Sequence, residues 1–67
     1  MPTIHVELFE GRAPAQKAEL AKELTATVVR VLGGSADSVD IVFTDVARGD
    51  WATGGVLWSE RTPSKPE

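Results

Sequence analysis

The residue with the clearest chemical potential is the second. The chain opens Met1-Pro2-Thr3-Ile4, and an initiator methionine is normally trimmed when a small residue such as proline follows. Trimming leaves Pro2 as a free secondary amine. The residues after it pattern as a strand, so the amine is expected to sit at a fixed strand end rather than on a frayed tail. Such an amine shuttles protons at neutral pH if its surroundings lower its pKa. Desolvation does that, and so do nearby cations. A purely structural reading stands beside this one, in which Pro2 only stops fraying of the N-terminus.

The elements that must position Pro2 follow from periodicity. Ile4, Val6 and Leu8 alternate with His5, Glu7 and Phe9, which predicts a strand over residues 3 to 9. Phe9 falls on the otherwise polar face, so that face is also expected to be covered, by another subunit. Glu10-Gly11-Arg12 breaks the pattern as a turn. Pro14 then suits the first turn of a helix, where its missing N–H costs nothing. Leu20, Leu24, Val28, Val31 and Leu32 recur at helical spacing with Ala21 alongside, and Lys17, Glu19, Lys22, Glu23 and Arg30 take the other positions. One amphipathic helix is predicted over residues 14 to 32, ended by Gly33-Gly34. Residues 35 to 38 read as a loop.

A second strand is predicted over residues 39 to 45, with Val39, Ile41 and Phe43 set against Asp40, Val42 and Thr44. A helical crossover implies that the two strands are parallel. Arg48-Gly49-Asp50-Trp51 reads as a turn, Gly54-Gly55 as a hairpin turn, and Val56-Leu57-Trp58 as a short strand. The fold class is α+β: a β-α-β unit with a short C-terminal hairpin. Residues 1 to 59 form the domain and residues 60 to 67 a flexible tail.

Size decides what else is needed. At 67 residues the chain is one small domain that buries too little surface to be comfortably stable alone. It has no cysteine, which excludes disulfides and thiolate metal sites, and its one histidine, His5, cannot build a histidine metal cluster. Oligomerisation is the remedy left. The net charge of −3 and the scattered cations argue against nucleic acid, while a local arginine or two still suits an anionic substrate. No apolar run is long enough to span a membrane. With no export signal and no cysteine, a cytoplasmic location is expected. His5 reads as an interface residue, Asp50 as a turn residue, Trp58 as an interface anchor, and Glu19, Lys22 and Glu23 as a solvated helix face.

Met1-Pro2, the strand, Glu10-Gly11-Arg12, the helix, the second strand, Gly49-Asp50-Trp51 and Gly54-Gly55 occur in an order that resembles 4-oxalocrotonate tautomerase and its relatives. The resemblance covers about residues 2 to 59. It implies β-α-β monomers paired into four-stranded sheets, commonly six copies, and no metal or organic cofactor. It also implies keto-enol tautomerisation of a small enol or dienol acid such as 2-hydroxymuconate, in the setting of aromatic compound catabolism. Pro2 matches the general base of that family. Arg12 matches an arginine that binds a substrate carboxylate from a neighbouring subunit. Trp51 stands at an aromatic position that keeps the site apolar, with Phe9 nearby.

Asp40 departs from the pattern, because the prototype carries a second arginine there. A carboxylate at this position repels an anionic diacid and, if close, raises the pKa of the proline amine. Three accounts fit. Asp40 is a solvated or salt-bridged strand residue in an enzyme of different substrate preference; another cation, Arg48 or Arg61, stands in; or the chain is a structural or low-activity subunit of a hetero-oligomer whose partner supplies the arginine. A dehalogenase or hydratase reading also exists among relatives. It needs a glutamate and an arginine where this chain has Thr53 and Phe9, which leaves Asp40 as its only water-activating carboxylate.

Overall fold

The computed structural model describes residues 2–61. Strand β1 (Thr3–Phe9) leads through the Glu10–Ala13 turn into helix α1 (Pro14–Leu32). A short 3-10 turn (Ala36–Ser38) leads into strand β2 (Asp40–Val46). A second 3-10 turn (Arg48–Asp50), a two-residue pair of strands β3 (Ala52–Thr53) and β4 (Val56–Leu57), and a third 3-10 turn (Trp58–Glu60) complete the described chain. The expected Met1 trimming and the expected tail over residues 62 to 67 lie outside the described residues. Within the remainder of that tail, Glu60 closes the last 3-10 turn and Arg61 is tied back to the hairpin.

β1 and β2 pair in parallel from Thr3↔Asp40 to Phe9↔Val46. The β-α-β unit with a C-terminal antiparallel hairpin is the architecture that the sequence implies. β2 runs one residue later than expected, because Val39 is held in the preceding turn, its N–H donating to the Ala36 carbonyl at 3.1 Å. At the other end Val46 extends the ladder opposite Phe9. Trp58 is not a strand residue. Its N–H donates to the Trp51 carbonyl at 2.8 Å, and the chain then turns into the 3-10 segment.

The helix begins without a polar cap. Ala13 precedes Pro14 at the first helical position, and Gln16 Oε1 accepts the Ala13 N–H at 3.1 Å, which supplies half of a capping box. Gly33 ends it at φ 84°, a left-handed value that glycine adopts without strain, with its N–H donating to the Val29 carbonyl at 2.9 Å.

Ile4, Val6, Leu8, Ile41 and Phe43 are half-buried on the side that meets the helix, as are Ala21, Leu24 and Val28. Two assignments from periodicity change. Lys17 is not on the solvent face: its Nζ lies 2.7 Å from Asp45 Oδ1, tying the start of the helix to the end of β2. Both groups remain accessible, so the pair contributes at most about 1 kcal/mol. Leu20, Val31 and Leu32, expected on the inner face, are 39%, 63% and 72% exposed.

Among the described residues none is fully buried. The Cα radius of gyration is 15.2 Å, where a compact chain of this length has about 11 Å. A two-stranded sheet with one helix leaves its second face, lined by His5, Glu7, Val42 and Thr44, and both edges open to solvent. A single copy therefore has the surface of a subunit rather than a finished domain.

Candidate functional site

The parallel register sets the two ends of the sheet apart. Pro2 and Asp40 share one end. The Asp40 N–H donates to the Pro2 carbonyl at 3.0 Å, and Asp40 is in register with Thr3. Pro2 is half-buried and Asp40 is exposed. The sequence-predicted carboxylate is thus the backbone neighbour of the candidate base in the same chain.

The other end gathers Phe9, Arg12 and Trp51. β1 finishes at Phe9, and Gly11, at φ 107°, turns the chain toward the helix. β2 finishes opposite, and Arg48 follows two residues later. A cavity of about 190 Å³ opens here, lined by Phe9, Glu10, Gly11, Arg12, Gln16 and Arg48. The Phe9 ring is the hub. Trp51 packs against it with centroids 4.8 Å apart, Trp58 meets it edge-on at 5.5 Å, and the Arg48 guanidinium lies over it at 4.2 Å from the centroid. Aromatic contacts at these separations add about 0.5–1.5 kcal/mol each beyond the area they bury.

The hairpin braces this cluster from behind. Trp58 Nε1 donates to Thr53 Oγ1 at 2.9 Å, and Arg61 Nη2 donates to the Thr53 carbonyl at 2.7 Å while stacking over Trp58 at 4.4 Å. Arg61 is engaged in holding the hairpin. Thr53, at the position where the dehalogenase reading needs a glutamate, has its hydroxyl engaged by Trp58.

Across one chain the two ends are separated by the length of β1, seven residues, or roughly 20 Å at the rise of a strand. The structure therefore joins Arg12 to Phe9 and Phe9 to Trp51, and joins Pro2 to Asp40, but does not join the two groups within one copy. Sequence reasoning did not anticipate Gln16 and Glu10 in the cavity wall, or Trp58 within the aromatic cluster. Gln16 was legible in principle as the third residue of the helix, where a side chain reaches back over the turn that precedes it.

Chemically, the Phe9 end offers an apolar wall and two guanidiniums, a combination that accepts a small organic anion. The Pro2 end offers a strand terminus and a carboxylate. Among the described residues, no group of histidines and carboxylates is arranged to hold a metal ion, and no helix is long and apolar enough to cross a membrane.

Known proteins share this fold. A profile of the family described as tautomerase enzymes matches residues 2–61. A probable tautomerase of Lactococcus lactis is 42% identical over 57 residues, which is 85% of this chain and 93% of that protein. A solved homologue of 4-oxalocrotonate tautomerase is 40% identical, with a TM-score of 0.84 over 92% of this chain and 98% of its own. A heterohexamer 4-oxalocrotonate tautomerase from Chloroflexus aurantiacus is similar at 30% identity and a TM-score of 0.84, with 90% and 97% covered.

Proposed function

This chain belongs to the tautomerase family, and from that premise we propose that it is a 4-oxalocrotonate tautomerase-like isomerase acting on a small enol or dienol acid. Pro2, freed by loss of Met1, is the general base. It takes a proton from the enol hydroxyl or from carbon and returns one to a different atom of the same conjugated system, so no cofactor is consumed. Arg12 binds a substrate carboxylate. Trp51 and Phe9 form the apolar wall that keeps the amine neutral by excluding water. The working location is the cytoplasm.

The observation that carries this reading is the placement of the two half-sites at opposite ends of one parallel sheet. A two-fold axis relating two copies edge to edge runs their strands antiparallel. That sets the Pro2 end of one copy beside the Phe9–Arg12 end of the other, and each pairing builds two complete sites. The absence of a fully buried core among the described residues supports the same assembly, with a hexamer as the state the family resemblance implies.

The test is ketonisation of phenylenolpyruvate over a range of pH. Only the neutral amine is a base, so kcat/KM is expected to fall as pH drops through the pKa of the Pro2 amine. If the Asp40 carboxylate reaches the amine, it favours the protonated form, and Asp40→Asn removes that charge. The acid limb of the Asp40→Asn profile is therefore expected at lower pH than that of the wild type. No ketonisation above the buffer rate overturns the reading, and an acid limb displaced upward overturns the role of Asp40.

A second reading is favoured by Asp40 itself. In it the chain is one of two subunit types, and a homologous partner brings the arginine that position 40 lacks. Its mark is a chain inactive alone that gains turnover on mixing with that homologue.

A further inference from the structure

We propose that Arg48 is a second substrate-binding cation, which converges with Arg12 on the carboxylate of a dicarboxylic substrate that lies farther from Pro2. The proposal rests on the tautomerase reading for its reaction but on the cavity alone for its binding.

Both guanidinium groups line the same cavity of about 190 Å³. They arrive from different elements, Arg12 from the turn after β1 and Arg48 from the 3-10 turn after β2. The register explains the meeting. Phe9 and Val46 are the last partners of a parallel ladder, so the residues that follow each strand emerge at the same end of the sheet. Among the described residues, neither arginine donates a hydrogen bond or has a carboxylate within salt-bridge distance. Glu10 also lines the cavity, as its one carboxylate, and leaves a net positive wall. Two cations and one carboxylate around one small hollow leave an excess positive charge that an anion between the arginines would balance.

Arg48 is positioned as well as charged. Its guanidinium sits 4.2 Å from the centroid of Phe9, whose other neighbours are Trp51 and Trp58. A ring face holds the planar fork in one orientation and leaves its N–H edge available. Arg61 makes the contrast. It also lies over an aromatic ring, but it donates to the Thr53 carbonyl and is absent from the cavity wall. Of the two arginines near turns, only Arg48 lines the cavity, so the geometry selects it as the companion of Arg12 rather than as a replacement at position 40. In the two-copy site Asp40 then stands on the Pro2 side, while the cations sit together on the side that the partner copy supplies. Such a site favours a diacid whose second carboxylate lies away from the reacting carbons.

The experiment uses two probes on the full-length protein. Calorimetric titration with trans,trans-muconate, an unreactive diacid, reads binding without turnover. Arg48→Met keeps an apolar stem over Phe9 and loses the charge, and it is expected to weaken muconate binding about 10–100-fold. Arg48→Lys keeps the charge but loses the fork and should fall between. In turnover, Arg48→Met is expected to raise KM for 2-hydroxymuconate more than it lowers kcat. The ratio of kcat/KM for this diacid to that for phenylenolpyruvate should drop about tenfold. Muconate affinity within twofold of wild type in a folded Arg48→Met protein overturns the proposal, as does a wild type that does not bind muconate. A wild type that binds muconate through Arg48 yet turns over neither enol acid defeats the tautomerase reading and leaves the Arg48 assignment standing.

Discussion

Replacing Pro2 with alanine is expected to lower kcat on phenylenolpyruvate by about 10²-fold or more, within the range by which a positioned general base accelerates a reaction. Alanine is small enough for Met1 still to be removed, so the variant keeps an amine at the strand end. It loses the ring. The proline ring locks rotation about N–Cα and gives a secondary amine whose lone pair has one direction relative to β1. A primary amine on alanine rotates freely about N–Cα, so its lone pair is not held toward the substrate. KM should move much less than kcat, because the proposed carboxylate contacts are made by Arg12 and Arg48, which the substitution leaves in place. Steady-state kinetics with intact mass on both proteins checks this. An unchanged kcat would place the base elsewhere.

The second large effect is expected at Arg12. Arg12→Ala should raise KM for 2-hydroxymuconate about 10–100-fold and change kcat less, since a charge-assisted hydrogen bond contributes about 1.5–3 kcal/mol. A bound carboxylate far from the reacting carbons is held alike in the ground and transition states, so its loss appears in KM. Arg12 is exposed and in no ion pair among the described residues, so truncation leaves no buried charge behind and the fold should persist. An equal fall in kcat with unchanged KM would make Arg12 a group that acts only in the transition state. Circular dichroism of the variant separates either result from unfolding.

The secondary structure was legible because its signals are local. Ile4-Val6-Leu8 fixes β1, Pro14 and Gly33 bracket the helix, and Gly54-Gly55 turns the hairpin, with positive φ at both glycines. What failed depends on contacts between elements. Lys17 falls on the polar side of a helical projection, yet its long side chain reaches Asp45 on the helix-facing side of β2. Trp58 continues a plausible strand pattern until its backbone bonds to Trp51 and bends the chain. Leu20, Val31 and Leu32 satisfy the helical period but overhang a sheet only two strands wide, and so remain open in one copy.

The candidate site shows the same division. Pro2, Arg12, Phe9 and Trp51 were each picked out from the sequence, and Phe9 does join Arg12 and Trp51. The choice of Arg48 over Arg61 was not legible, because both read as arginines near turns. Only the register of β1 with β2 brings Arg48 into the cavity. That Pro2 lies far from Arg12 follows from the strand between them, and the remedy, a second copy, is a property of symmetry rather than of any residue.

If a free proline amine does the chemistry, blocking that nitrogen silences the protein. The most direct measurement follows ketonisation of phenylenolpyruvate by protein carrying one protease-removable residue ahead of Pro2, while mass spectrometry follows its removal. With the extension in place the nitrogen is an amide and no base. Activity is expected to be absent at first and to rise in proportion to the fraction of chains that begin at Pro2. The same turnover before and after cleavage would contradict the account.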